Sequence, residues 1–262
     1  MIRIKRSVLV KLFLWLAVYP AIPFLIVSIG MIVYANWPRG FKNFELPIVH
    51  PDTEQVVFIV HGKDDDATTW AVELQKAYRS LGEDTTQVFT LDWTPYSDNF
   101  LRCSVDGRYI GRSLGKQLAA ETKVKELHLI GHSAGAFVAY GLCEGAKQMN
   151  HSIQIQTTYL DPLGVYGAVI RDFGLDRLGD CADFSEAYID IESGVPGSNE
   201  PLVNPHTFDV TTVRSDREFS GSAHIWPVHY YKSLLHDGNA PLWLTNPKVR
   251  QRYPARQLTV VK

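Results

Sequence analysis

The sequence predicts an α/β domain built on a mostly parallel sheet with helices on both faces, preceded by one apolar N-terminal helix. Three observations point there. Short β-rich runs alternate with segments of helical periodicity from residue 55 onward, as in strand–helix–strand units. The chain has 262 residues, 45% of them hydrophobic, and a formal net charge of −2. That is enough for one domain with a substantial core, and the near-neutral balance gives no basic surface for nucleic acid. Finally, an uncharged apolar run from Leu12 to Ala35 follows Arg3, Lys5, Arg6 and Lys11.

A helix needs roughly 20 apolar residues to cross the ~30 Å hydrocarbon layer, and this run is long enough. Pro20 and Pro23 should kink it, which membrane helices tolerate. The basic flank should stay cytoplasmic, so everything after residue 36 is expected on the periplasmic, lumenal or extracellular side. A cleaved signal peptide is the rival reading, with small residues at Val33-Tyr34-Ala35, and would make the domain secreted. The expected organisation is an anchor or signal over 1–35, a linker over 36–54, the α/β domain over 55–240 and a polar tail over 241–262.

Within the domain, "QVVFIV" (55–60) reads as a buried strand closed by His61-Gly62. The next helix places Trp70, Leu74, Ala77, Tyr78 and Leu81 at helical spacing, with Gly82 as its stop. A strand at 86–93, a helix at 106–123, a strand at 126–131, a helix at 134–149 and a strand at 153–160 follow. Then come a long irregular stretch, a strand at 206–213 and a helix at 225–235. In parallel sheets reactive groups gather at the carboxyl ends of strands, and each candidate residue below sits just after one.

Gly131-His132-Ser133-Ala134-Gly135 fits G-x-S-x-G between a strand and a helix, the context in which the motif marks a nucleophile. The serine must occupy a tight turn, so its neighbours have little or no side chain. The helix N-terminus then faces any oxyanion that forms. A serine hydroxyl also needs a histidine to take its proton and an acid to orient that histidine. The expected chain order is serine, acid, histidine. Asp161 ends the very next strand, and Asp216 after the later strand is the alternative acid. His224, in the loop entering the 225–235 helix, is the preferred base, and His229 inside that helix is the alternative. Oxyanion donors are expected from the Ala134 amide and from the Lys63 amide in the turn after the first strand. His61 reads as structural in that turn.

Asp64, Asp65 and Asp66 resemble a metal cluster, but three carboxylates just before a helix are better read as serving its dipole and amides. No metal or cofactor is expected. Of three cysteines, Cys143 falls inside a predicted helix as a small hydrophobe. Cys103 and Cys181 lie in loop-like segments and could pair in an oxidising compartment.

"FIVHG" (58–62), "LDW" (91–93), "GHSAG" (131–135), "YLDP" (159–162) and "AHIWPVHYY" (223–231) together resemble the α/β-hydrolase lipases, the pancreatic-type more than others. The resemblance spans roughly residues 55–235. It implies an α/β-hydrolase fold, a Ser133–His224–Asp161 triad and Lys63 and Ala134 as oxyanion donors. The implied activity is carboxylic ester hydrolysis on an acyl-ester or lipid substrate, with the membrane as partner through the N-terminal helix. Only about 25 residues follow the matching region, too few for the β-sandwich domain of the family's secreted animal members. The segment between Asp161 and His224 also lacks a cysteine-bounded lid. Acyl transfer and thioester hydrolysis use the same machinery, and a non-catalytic lipid-binding module is a further alternative.

Overall fold

The computed structural model describes residues 7, 11, 13–37, 39–41, 44–81 and 85–262. Arg3, Lys5, Arg6, Leu12 and the Gly82 stop lie outside the described residues. The chain divides into Met1–Arg39 and Gly40–Lys262.

In the first part, a π-helical turn Leu14–Val18 runs into helix α1, Tyr19–Asn36. Pro20 sits in the first turn of α1, directly after the π-helical turn, and Pro23 lies inside it. Phe24, Leu25, Ile26, Ile29 and Ile32 are all exposed, so the helix is apolar all round. With a mean hydropathy of 1.6 over 18 residues it is long and apolar enough to cross a membrane. A signal sequence has the same character.

In the second part, seven strands form one wholly parallel sheet in the order β2-β1-β3-β4-β5-β6-β7. They are β1 Gln55–Val60, β2 Thr86–Leu91, β3 Glu126–His132, β4 Gln154–Leu160, β5 Phe184–Ile189, β6 His206–Asp209 and β7 Leu258–Val260. The residues of β1 from Val56 to Val60 have no exposed surface. A continuous apolar run of this kind belongs to a strand covered on both faces. Alternation sends Val56, Phe58 and Val60 to one core, beneath α3 (Cys103–Glu121) and α4 (Gly135–Met149). Val57 and Ile59 go to the other, beneath α2 (Trp70–Arg79) and α5 (Trp226–His236).

Helices α3 and α4 pack backbone to backbone. A Cβ on Gly111 would fall 2.1 Å from the Val138 carbonyl oxygen, and one on Gly141 would fall 2.2 Å from that of Arg108. Gly115 and Gly145 repeat the contact one turn along. Because strand order reverses at β1, the chain leaves β1 toward one face and β3 toward the other. A crevice opens at their carboxyl ends, as at other topological switch points.

The structure differs from the sequence-based expectation in several places. Residues 40–54 of the expected linker belong to the domain, with Phe41, Phe44, Leu46 and Val49 against its core, and the expected strand 86–93 ends at Leu91. "FSEAYI", inside the expected irregular stretch, is β5, an inner strand paired with β4 on one side and β6 on the other. Its Glu186 disguises it, yet that carboxyl is buried and accepts hydrogen bonds from Thr158 (2.8 Å) and Tyr188 (3.0 Å). The expected strand 206–213 ends at Asp209 and turns into a short helix, Thr211–Asp216. The expected helix at 106–123 starts earlier, at Cys103. The expected polar tail 241–262 is part of the domain. It supplies β7, and the Pro241 carbonyl and Trp243 amide bond both ends of the buried Gln156 amide. Finally, Cys181 pairs with Cys143 rather than Cys103. Cys143 projects from α4 with its Cα 6.0 Å from that of Cys181, whereas Cys103 opens α3 as a buried free thiol.

Candidate active site

The turn between β3 and α4 is built from the glycines that flank Ser133. A Cβ on Gly131 would lie 2.7 Å from the Gly135 carbonyl oxygen, and one on Gly135 would lie 2.4 Å from that of His61. Strand and helix can meet only without those atoms. Ser133 itself takes φ = 53°, the left-handed region that costs a non-glycine residue on the order of 1–3 kcal/mol. The turn holds it there through its N–H to the Leu160 carbonyl (3.1 Å) and its own carbonyl to the Leu163 amide (3.1 Å). Asp161 (φ = 45°) and Asp64 (φ = 55°) are left-handed too. Three of the six strained non-glycine residues among those described therefore converge on one sheet edge. This is the nucleophile-elbow geometry at the crevice of a doubly covered parallel sheet. The fold is an α/β-hydrolase fold.

Asp161 follows β4 directly and is wholly buried. His224, from the loop before α5, donates Nδ1–H to Asp161 Oδ2 at 2.6 Å, which leaves Nε2 as the nitrogen for proton exchange. Asp161 Oδ1 accepts the Asp190 amide at 3.1 Å. Burial pushes the Asp161 carboxyl above its usual range, and the hydrogen bonds from His224, Ser193 and the Asp190 amide pull against that. Ser133 and His224 face the same cavity of about 250 Å³, with Lys63 and Ala134 also in its wall. Phe100, Cys103, Leu163, Val195 and Pro196 supply its apolar side. Burial raises the Cys103 thiol to about 11, so it stays protonated at neutral pH.

The loop after β1 is tied down by His61. Its Nε2 accepts the Trp93 amide (3.1 Å), so Nδ1 carries the proton and bonds the Gly62 carbonyl (2.8 Å). The Trp93 indole N–H closes the tie on the His61 carbonyl at 2.8 Å. Gly62 lies so near the elbow that a Cβ there would sit 2.8 Å from that of Ser133, and Lys63 after it lines the same cavity as the serine. Neither the Lys63 nor the Ala134 amide donates to a protein acceptor among the described residues. The Lys63 ammonium pairs with Asp64. Asp65 bonds the Thr69 hydroxyl and the Trp70 indole N–H, and Asp66 bonds the amide and hydroxyl of Thr68.

The two alternative site residues lie elsewhere. Asp216 is exposed at the end of its short helix, with no hydrogen bond to a histidine among the described residues. His229 packs its ring 4.9 Å from Phe219 and lines a separate cavity with Glu73 and Lys76.

Sequence reasoning missed His132, inside the motif itself. Its Nε2–H donates to the His224 carbonyl (3.1 Å), and its ring lies 4.5 Å from the His224 ring. Its buried Nδ1 has no partner, and burial holds it neutral with a pKa of about 3. Sequence reasoning also missed Asp190 and the 193–196 wall. Both follow β5 and would have been found had "FSEAYI" been read as a strand.

Neither a protein-family model nor a curated protein matches the chain. Among solved structures, it is similar to a protein described as a cell-surface hydrolase from Lactobacillus plantarum. That match has 12% identity and a TM-score of 0.48, covering 77% of this chain and 97% of that one. A lipase-esterase related protein from Clostridium acetobutylicum aligns with 11% identity, TM-score 0.44, and coverage of 72% and 94%. A hydrolase of the alpha/beta superfamily from Xanthomonas campestris aligns with 14% identity, TM-score 0.44, and coverage of 73% and 99%. These are distant likenesses.

Proposed function

We propose that the chain is a serine-dependent carboxylic ester hydrolase acting on an acyl-ester or lipid substrate near a membrane. The observation that carries this reading is the 2.6 Å bond between His224 Nδ1 and Asp161 Oδ2 beside a serine in a strained strand–helix turn, all at one cavity. The Ser133 hydroxyl attacks the acyl carbonyl as its proton passes to His224 Nε2, and Asp161 stabilises the imidazolium. The amides of Lys63 and Ala134 receive the oxyanion. Collapse expels the alcohol, which takes the proton from His224. Water, deprotonated by the same nitrogen, then releases the acid and restores the serine. The apolar wall of Phe100, Leu163, Val195 and Pro196 suits the acyl chain.

The apolar α1 and the Cys143–Cys181 disulfide support an exported domain held at, or released from, a membrane. The finer likeness to pancreatic-type lipases rests on the five sequence landmarks alone.

Fluorophosphonate labelling of the detergent-solubilised chain, with the adduct mapped by peptide mass spectrometry, tests the reading. The adduct is expected on Ser133, absent in Ser133→Ala and nearly absent in His224→Ala. Folded protein that takes up no label would sink the hydrolase reading in favour of a binding module. A labelled serine that turns over thioesters, or moves acyl groups to alcohols faster than to water, would redirect it to those reactions.

A further inference from the structure

We propose that Arg214 is a positioning residue for Asp161, acting through the loop that begins at Asp190; this rests on the triad reading above. Asp190 follows β5 and its carboxylate is fully buried. Arg214, from the short helix after β6, donates Nε–H to Asp190 Oδ2 at 2.5 Å and pairs Nη2 with Glu192. The other carboxylate oxygen of Asp190 accepts the Glu192 amide (3.0 Å), and the Asp190 carbonyl accepts the Ser193 amide (2.9 Å). The turn is thus wound around a single carboxylate whose charge is met by one guanidinium.

What that turn presents outward is the support of the triad acid. The Asp190 N–H reaches Asp161 Oδ1 at 3.1 Å, while His224 holds Oδ2. The Ser193 hydroxyl helps hold down the pKa of the same acid. Two residues further on, Val195 and Pro196 wall the cavity before Ser133. The Pro196 carbonyl fastens the loop to the Gly164 amide at 2.8 Å. A buried carboxylate that has lost its cation is strongly disfavoured and is relieved by exposure to water. Losing Arg214 therefore draws Asp190 outward and takes its amide away from Asp161. The acid keeps its partner His224 but loses the donor that fixes its plane.

The test uses the full chain in detergent, with Arg214→Gln and Arg214→Lys compared on p-nitrophenyl butyrate. Two-dimensional and one-dimensional proton NMR follow the downfield His224 Nδ1–H resonance, assigned by its absence in His224→Ala. Expected for Arg214→Gln is a kcat lower by roughly 10- to 100-fold, the effect of misplacing a reacting group by about 1 Å. KM should stay within about twofold, and the resonance should shift or broaden away. Arg214→Lys, with one cationic donor, should recover much of both signals, which a merely structural loss would not do. Wild-type kcat and an unchanged resonance in folded Arg214→Gln overturn the proposal, as does a rise in KM alone. The resonance reads the Asp161–His224 bond itself, so it decides the positioning even if the wild type fails to label at Ser133.

Discussion

His128 and His132 stand four residues apart on β3, point to the same face of the sheet and are both buried. Burial holds each neutral, with a pKa of about 3. Their surroundings differ. In mid-sheet, His128 is hydrogen-bonded at both nitrogens, to the Tyr78 hydroxyl (3.0 Å) and to Thr158 Oγ1 (2.8 Å). Thr158 continues to Glu186, and Glu186 to Tyr188. At the carboxyl edge, His132 has one bond, to the backbone of His224, and an orphaned Nδ1. A satisfied polar network stabilises and specifies the core, whereas an unsatisfied buried atom is tolerated where something else is gained. The contrast extends to the backbone, because the left-handed Ser133 and Asp161 lie at the edge and none lies among the mid-sheet residues.

From this contrast, substitutions at the edge should mainly remove activity, and those in mid-sheet should mainly remove stability. The largest effect is expected from Asp161→Asn. Ester hydrolysis should fall by roughly 10⁴ in kcat, because the wrong histidine tautomer is then favoured. Thermal unfolding should move little; a variant that melts early instead would place Asp161 with the structural network. Next comes His128→Ala, which leaves a cavity and removes one hydrogen-bond partner from each of the Tyr78 and Thr158 hydroxyls. It should lower unfolding stability by about 3 kcal/mol in urea titration, with kcat per folded molecule near wild type.

His132→Ala should shift the balance of loss toward activity, costing about 2 kcal/mol of stability for its cavity and one hydrogen bond and about tenfold in kcat as the His224 loop loosens. Equal behaviour of the two histidine variants would dissolve the comparison. The smallest change is expected for Glu186→Gln near pH 5, within about 1 kcal/mol, since the amide keeps most of the same partners. Its signature is pH dependence. Burial raises Glu186 from 4.5 to about 8, so the folded state holds a proton that the unfolded state releases. Its stabilising contribution is complete below about pH 4.5 and is lost as pH rises through 8. Wild-type melting temperature should therefore drift down across that window, and the drift should flatten in Glu186→Gln.

The edge was more legible in the sequence than the middle. The strand ends at His61-Gly62, Gly131-His132-Ser133 and Leu160-Asp161 announce themselves, because a tight turn restricts residue type locally. What stayed hidden depends on partners remote in the chain. Glu186 reads as a solvent-facing charge until Thr158, Gln156 and Tyr188 are seen around it. The three residues of β7 carry too little pattern to read alone, and only β6 gives them a role. The Cys143–Cys181 bridge depends on which face of α4 meets the 178–183 turn, and spacing does not reveal that. Arg214 and Asp190 are ordinary surface types 24 positions apart, joined only in the fold.

The glycine seam between α3 and α4 has a consequence for genetics. At Gly111, Gly115, Gly141 and Gly145 any missense codon adds a Cβ that collides with a carbonyl oxygen of the facing helix at 2.1–2.2 Å. No conservative replacement exists there, not even alanine. In a saturation scan scored by surviving activity, these four positions should be as intolerant as Ser133 itself. Intolerance alone would then draw a false second active site along the seam, and only a scan that scores abundance separately from turnover would erase it.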